Sequence, residues 1–297
     1  MFSYYIARVL LFCSTFLLGL QITTLPLFII YKEYKNMICY RQMFSIGIFE
    51  SLILLMDILF SFSTCFNFKY PLIFERICGN IYSVSFMLLI FQQTCLAVNR
   101  LIVVIKTYRL SNVEYTETKI EKILFNSIII ISWILAFIYV LIATNGNSGL
   151  LYDPESLAFN EYKNIKERKL MTRFDLQGVL IMIPLPLTTL TIYCTVFTLL
   201  IKMRIQNNKN SVLCVSLLKP EEYRLLIQSI FMFITFNITL ITWFLKSWIE
   251  ESSDYKIFKP LWMLTFTCIC GLNPVLYLCM SRKLRNQMLI FIRWNNP

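Results

Sequence analysis

Residues Pro260 to Met280 read PLWMLTFTCICGLNPVLYLCM, 21 positions without a charge. About 20 apolar residues suffice for a helix to cross the hydrocarbon core of a bilayer, so this stretch alone predicts a membrane span. Its interior carries a second message. Pro274 lacks an N–H and frees a backbone carbonyl one turn earlier, while Asn273 supplies a side-chain amide able to satisfy displaced backbone groups. A bend is expected there, with Tyr277 one turn further on, just ahead of a basic segment.

Outward from this run, six more apolar stretches occupy roughly 6–30, 43–65, 77–105, 123–142, 176–201 and 225–245, with the seventh at 260–280. The expected fold is an all-α membrane protein, one seven-transmembrane-helix domain over residues 1–297. The first stretch is too long for the ~7–15-residue apolar core of a signal peptide and lacks a small-residue cleavage site. Composition agrees: 57% of residues are hydrophobic and 15% charged, too apolar for a soluble chain of 297 residues. The chain has no His, which removes the commonest general base and zinc ligand, so an enzyme is disfavoured. Of the ten Cys, most fall inside apolar runs and read as small buried hydrophobes. No cofactor or metal pattern appears.

Charge gives the spans a direction. With the N-terminus outside and the C-terminus inside, 17 of the 28 Lys and Arg fall on the cytoplasmic side. That division follows the positive-inside rule, and it makes topology rather than nucleic acid the cause of the net charge of +11. The tail 281–297 sets Arg282, Lys283, Arg285 and Arg293 among Leu284, Met288, Leu289, Phe291, Ile292 and Trp294. It is expected to form a short amphipathic helix on the inner membrane surface, in contact with lipid.

A charge at the bilayer centre costs at least ~2.5–3.5 kcal/mol, so intramembrane acids need a reason. Glu50 and Asp57 lie seven residues apart, near one face of the second span, and that face must point into the bundle. They suit a cation-binding or protonation-switch pocket, or else buried polar packing with Asp57 high enough to reach water. At the cytoplasmic end of the third span stand Asn99 and Arg100, where an isolated Arg would simply snorkel to phosphate. Glu221 and Glu222, just before the sixth span, are candidate partners for Arg100 in an inactive-state lock. Trp133, Pro184, Pro186 and Asn237 read as packing, kinking or cross-linking residues. Tyr82, Phe86 and Trp243 have a depth suited to an outer ligand pocket, although aromatic residues at helical spacing are more often packing.

Together these residues resemble the rhodopsin-like G-protein-coupled receptors, and more narrowly the nematode serpentine chemoreceptors of the class T and class X kind. The resemblance rests on Asn273-Pro274-Val-Leu-Tyr277, Asn99-Arg100 after Leu96-Ala97-Val98, Trp133, Cys39-Tyr-Arg-Gln-Met-Phe44 leading to Gly47-Ile-Phe-Glu50, and Glu222 through Gln228-Ser229. It implies a receptor that turns binding of a small molecule or peptide at its outer face into activation of a heterotrimeric G protein. It places Glu50 at the family's second-helix acid position, Arg100 at the G-protein-contacting arginine, and Asn273, Pro274 and Tyr277 at the bend. It also implies the plasma membrane, including sensory cilia, as the location, and leaves homo- or heteromers open. The chain departs from the pattern in having Asn99 for the usual acid, Leu101 for an aromatic, and no proline in the sixth span. Cys78 has no partner Cys in the second outer loop, which leaves Cys65 as the expected disulfide partner. The alternative from another class is an ion channel or transporter subunit using Glu50 and Asp57, for which no inverted repeat is found.

Overall fold

Lipid offers a backbone no hydrogen-bond partners, so apolar spans must close their own N–H and C=O groups as helices. In a computed structural model of the chain they do so as α1 (Phe2–Ile30), α2 (Ile38–Phe66), α3 (Leu72–Arg109), α4 (Lys119–Asn145), α5 (Pro184–Lys209), α6 (Leu226–Thr235), α7 (Tyr255–Cys270) and α8 (Leu272–Met280). The structure describes residues 2–31, 37–109, 117–145, 150–154, 157–161, 184–209, 224, 226–235, 237–238, 241, 255–280 and 285–286. Among them, six helical segments are long and apolar enough to cross a membrane, and α6 is the described part of the remaining crossing. The expected seven-helix bundle is therefore present, with α7 and α8 forming the last crossing.

Most helices outrun the apolar windows that announce them. The third was expected at 77–105 and runs Leu72–Arg109, because Glu75, Lys106 and Arg109 carry the helix into the polar layers at both ends. At 38 residues and 1.5 Å per residue, α3 greatly exceeds the hydrocarbon thickness. It is also the hub of the bundle. Gln92 Nε2 donates to Ser132 Oγ on α4 at 2.8 Å, Thr94 and Thr189 of α5 share a hydroxyl bond of 2.9 Å, and Arg76 Nη2 donates to the Thr144 carbonyl at 2.8 Å. Trp133 of α4 stacks on Phe49 of α2 at 4.3 Å and donates to Ser45 Oγ at 3.2 Å, so it packs two helices together. On its other side α4 turns Ile123, Ile130 and Phe137 outward, where lipid would lie.

The connection between α4 and α5 amends the all-α expectation. It contains a two-stranded antiparallel hairpin, β1 (Leu150–Asp153) and β2 (Ala158–Glu161), with Tyr152 opposite Phe159. Leu157, in its turn, takes a left-handed φ of 50° and is buried at 1% exposure. Of the tail 281–297, only 285 and 286 are described, and the amphipathic-helix expectation otherwise lies outside the described residues. Arg285 Nη1 donates to the carbonyls of Leu278 and Cys279, both at 2.7 Å, capping the free end of α8.

Candidate functional site

The buried acids find their partners on the first and last crossings. Glu50, 1% exposed, accepts from Gln21 Nε2 through Oε2 at 2.8 Å and from Asn273 Nδ2 through Oε1 at 2.5 Å. The same Gln21 nitrogen lies 3.3 Å from the carbonyl of Cys270. Cys270 precedes Pro274 by four residues, so its carbonyl is the acceptor that proline cannot serve. The sequence assigned relief of the displaced backbone to Asn273. Instead Asn273 is drawn to the carboxyl oxygen, the stronger acceptor, and Gln21 from α1 reaches the orphaned carbonyl. Helices α1, α2, α7 and α8 thus meet at one polar knot around the proline.

Two glycines allow that approach. A Cβ on Gly47 would come within 2.5 Å of Leu25 Cδ2, and one on Gly271 would overlap both the Cβ and the tip of Leu17. Gly271 also marks the break between α7 and α8, with its N–H still bonded to the Thr267 carbonyl at 3.1 Å.

One heptad further along α2, Asp57 Oδ2 accepts from Thr267 Oγ1 at 2.7 Å. Asp57 is 4% exposed, so the reading that it reaches water is overturned: the seventh crossing and the hairpin side of the bundle cover it. Because α2 and the seventh crossing run antiparallel, Glu50–Asn273 and Asp57–Thr267 form two successive rungs between them.

At the opposite end of α3, both members of the Asn99–Arg100 pair are buried at 2% exposure and turn toward α2. Asn99 Nδ2 donates to Gln42 Oε1 at 3.0 Å, and Arg100 Nη2 contacts the thiol of Cys39. Glu221 and Glu222, the expected partners of Arg100, lie outside the described residues. Cys39 and Gln42 belong to the run that carries the family resemblance, but the sequence does not pair them with Arg100 and Asn99; only the packing of α2 on α3 does.

Tyr277, 4% exposed, meets Phe28 edge-on at 5.1 Å, and Phe28 continues to Tyr40 at 5.8 Å. Between Asn273, Tyr277, Gln93, Tyr193, Gln228 and Ser229 lies a cavity of about 20 Å³. One water needs roughly 10–15 Å³ and several polar neighbours, and both conditions are met here. Among the described residues, the buried Gln228 Nε2 has no partner.

The outer half departs from expectation. Phe266 of α7 fills the region between Tyr82, at 6.2 Å, and Phe86, at 5.3 Å, and Tyr82 directs its hydroxyl at Met263 Sδ at 3.8 Å. These rings pack on α7 rather than line an open pocket. Trp243 lies outside the described residues. Cys65 and Cys78 are both free thiols, so the expected bridge is not made; Cys78, at 3% exposure, is packed into the core. Asn237 spends its amide on the Phe233 carbonyl of its own helix at 2.7 Å instead of cross-linking. Above the rings, Tyr152 of the hairpin shares a 2.9 Å hydroxyl bond with Thr64 and lies 4.8 Å from the Phe60 ring. Burial raises the Tyr152 phenol above its ordinary range, and the nearby Asp57 carboxylate adds to that. Among the described residues no group of three His, Cys, Asp or Glu side chains is placed to share a metal ion.

Comparison with known proteins bears on this arrangement as a whole. The family model for serpentine type 7TM GPCR chemoreceptors, Srx, matches residues 13–272. The crystal structure of squid rhodopsin superposes with a TM-score of 0.73 over 98% of this chain and 85% of that one, at 13% sequence identity, a likeness of fold alone. No curated protein matches the chain.

Proposed function

Because the chain belongs to the Srx family of serpentine seven-transmembrane chemoreceptors, we propose that it converts binding of a small molecule or peptide at its outer face into activation of a heterotrimeric G protein at the face carrying Asn99 and Arg100. It is a multi-pass membrane receptor of the G-protein-coupled kind. The observation that carries the reading is the knot of Gln21, Glu50 and Asn273 at Pro274. A helix broken at Gly271 and held by side chains of two neighbours is an element with two packings available, which is what a ligand must bias. Ligand contacts on the hairpin side, above Phe266, would act on α7 directly. Arg100, held on α2 at rest, would be released to the G protein as the inner end opens, with Glu221 and Glu222 contributing from the sixth crossing.

The charge distribution supports an external N-terminus, and a receptor for outside ligands belongs in the plasma membrane, with sensory cilia the proposed site for a chemosensory one. An ion path through Glu50 is the weaker reading, since amide donors already take both carboxyl oxygens. The test is a screen of volatile and soluble ligands, and of peptides, on cells expressing the full chain with a panel of G proteins. Arg100→Ala serves as the control. A ligand response through one G protein, abolished by Arg100→Ala at matched surface expression, is expected. A response undiminished by that change removes the role given to Arg100, and an N-terminal tag found on the cytoplasmic side removes the receptor topology.

A further inference from the structure

A groove of about 410 Å³ opens on the outside of the bundle where α1 meets α2, lined by Ile22, Leu25, Pro26, Ile29, Ile30 and Phe44. Its volume lies within the ~300–1,000 Å³ typical of small-molecule sites. Ile22, Ile29 and Ile30 are each more than half exposed, so the other described residues leave this surface open. Among the described residues every lining side chain is apolar. In a protein that spans a bilayer, such a surface meets acyl chains.

What distinguishes this groove is the cation at its inner rim. Arg41 precedes Phe44 by three residues, so the two share one face of α2, with Arg41 one turn nearer the end of the bundle that carries Arg100. The positions facing α1 on this helix are marked by Tyr40, whose ring lies 5.8 Å from Phe28, and by Gly47, against Leu25. Cys39, Gln42 and Ser45 point the other way, to α3 and α4. Phe44 and Arg41 therefore occupy the arc between α1 and the lipid. The ion pairs among the described residues are Lys106–Glu121 and Lys122–Glu117, and neither includes Arg41. Among the described residues, the buried Arg41 Nε has no hydrogen-bond partner. A guanidinium at headgroup depth, next to an acyl-sized apolar groove, matches a phospholipid phosphate with its chain below, and its fork geometry suits phosphate oxygens.

We infer that the α1–α2 groove is a binding site for an anionic glycerophospholipid of the leaflet on the Arg100 side, with an acyl chain along Ile22, Pro26 and Ile29 and the headgroup phosphate on Arg41. The site adjoins the helices that hold the signalling residues. Phe28, behind the groove, is the ring that contacts both Tyr40 and Tyr277. Occupancy thus bears on α1, whose adjoining face, with Leu17, Gln21 and Phe28, packs against the seventh crossing.

The experiment is native mass spectrometry of the full-length protein, released from detergent with phosphatidylglycerol, phosphatidylcholine or cholesterol added in turn. Wild type is expected to retain phosphatidylglycerol about fivefold better than phosphatidylcholine, the effect of one basic group near an anionic headgroup. Arg41→Gln should abolish that preference and Arg41→Lys should keep it. Ile29→Trp, which fills the groove without touching charge, should lower retention of both phospholipids. A preference unchanged in Arg41→Gln overturns the assignment, as does retention unaffected by Ile29→Trp. Cholesterol displacing phosphatidylglycerol at equal concentration would identify the groove as a sterol site and overturn it too. Melting temperature in detergent, read alongside, shows that the Arg41 variants are folded.

Discussion

The side-chain amide of Gln21 lies 3.3 Å from the carbonyl of Cys270, the one carbonyl that Pro274 leaves without a backbone donor. A residue near the middle of the first crossing thus closes a gap in the seventh, and the same nitrogen holds Glu50 at 2.8 Å. Gln21→Leu keeps most of the volume and removes the donor, leaving two buried acceptors short of a partner. Each unsatisfied buried group costs about 1–3 kcal/mol. Gln21→Leu is therefore expected to lower the melting temperature in detergent more than Leu replacement of Gln93, whose side chain lines the small cavity beside Asn273 and belongs to neither the knot nor the rungs. Equal losses at the two positions would remove the special role given to Gln21.

The rung between Asp57 and Thr267 supports a sharper comparison, because breaking one partner and removing both are different operations. Thr267→Val strips the hydroxyl from Asp57 Oδ2, whose companion Oδ1 already lacks a hydrogen-bond partner. The carboxyl is then buried with no donor, at a cost of about 1–3 kcal/mol. Replacing both residues, Asp57→Leu with Thr267→Val, removes the stranded group itself. The double variant should be more stable than the sum of the single effects by roughly 0.5–3 kcal/mol. Strict additivity of the unfolding free energies, measured by chemical denaturation in detergent, would show that the two do not act as a pair.

Cys39 and Gln42 hold Arg100 and Asn99 against α2. If that docking keeps the inner face closed, then Cys39→Ala and Gln42→Leu each release one member of the pair and should raise basal G-protein signalling severalfold, a shift of about 1 kcal/mol in a two-state equilibrium. The assay compares signalling without ligand at matched surface expression. Basal output equal to wild type in both variants would locate the restraint elsewhere, with Glu221 and Glu222 the next residues to replace.

Much of this site is legible in the sequence for an energetic reason. Glu50, Asp57, Asn273 and Pro274 interrupt apolar runs, and such interruptions are costly enough in lipid to stand out. That Glu50 and Asp57 share a face also follows from helical spacing. Their partners do not: Gln21 and Thr267 are unremarkable residue types whose roles depend on which helices touch, with α1 brought in by the close approaches at Gly47 and Gly271. The pairing of Cys39 and Gln42 with Arg100 and Asn99 likewise waits on the packing of α2 against α3. The hairpin hides for a related reason. Leu150-Leu-Tyr-Asp-Pro-Glu-Ser-Leu157 carries a turn signal in Asp153-Pro154, but its strands are four residues each and are held by Tyr152 and Leu157 reaching distant helices. The empty-looking outer half misled in the opposite direction, because Tyr82 and Phe86 have the depth of ligand contacts and only Phe266 shows them to be packed.

Gly271 carries a steric prediction. An added methyl would overlap the Cβ of Leu17, an atom that cannot swing aside without moving α1. Gly271→Ala should therefore push α1 from the seventh crossing and weaken the Gln21–Cys270 contact, at about 1–3 kcal/mol for overpacking. Leu17→Ala opens the space, so the pair Leu17→Ala with Gly271→Ala should recover part of the melting temperature lost by Gly271→Ala alone. A double variant no more stable than the worse single one would mean that the glycine serves the helix break rather than the approach of α1.

Leu157 sets two magnitudes against each other. Its side chain is almost wholly buried at 1% exposure, and its backbone sits at a φ of 50°, where a side chain costs about 1–2 kcal/mol. Leu157→Ala loses the packing, about 2–5 kcal/mol, and keeps the backbone penalty. Leu157→Gly loses the same packing but relieves that penalty, since glycine adopts positive φ without a steric cost. Alanine normally outranks glycine in a folded segment, so the predicted order here is inverted: wild type first, then Leu157→Gly, then Leu157→Ala. The readout is protease resistance of the hairpin in the intact, membrane-embedded protein. Finding Leu157→Ala the more resistant of the two would show that the left-handed turn carries no cost, and that the hairpin is held by Tyr152 and Thr64 alone.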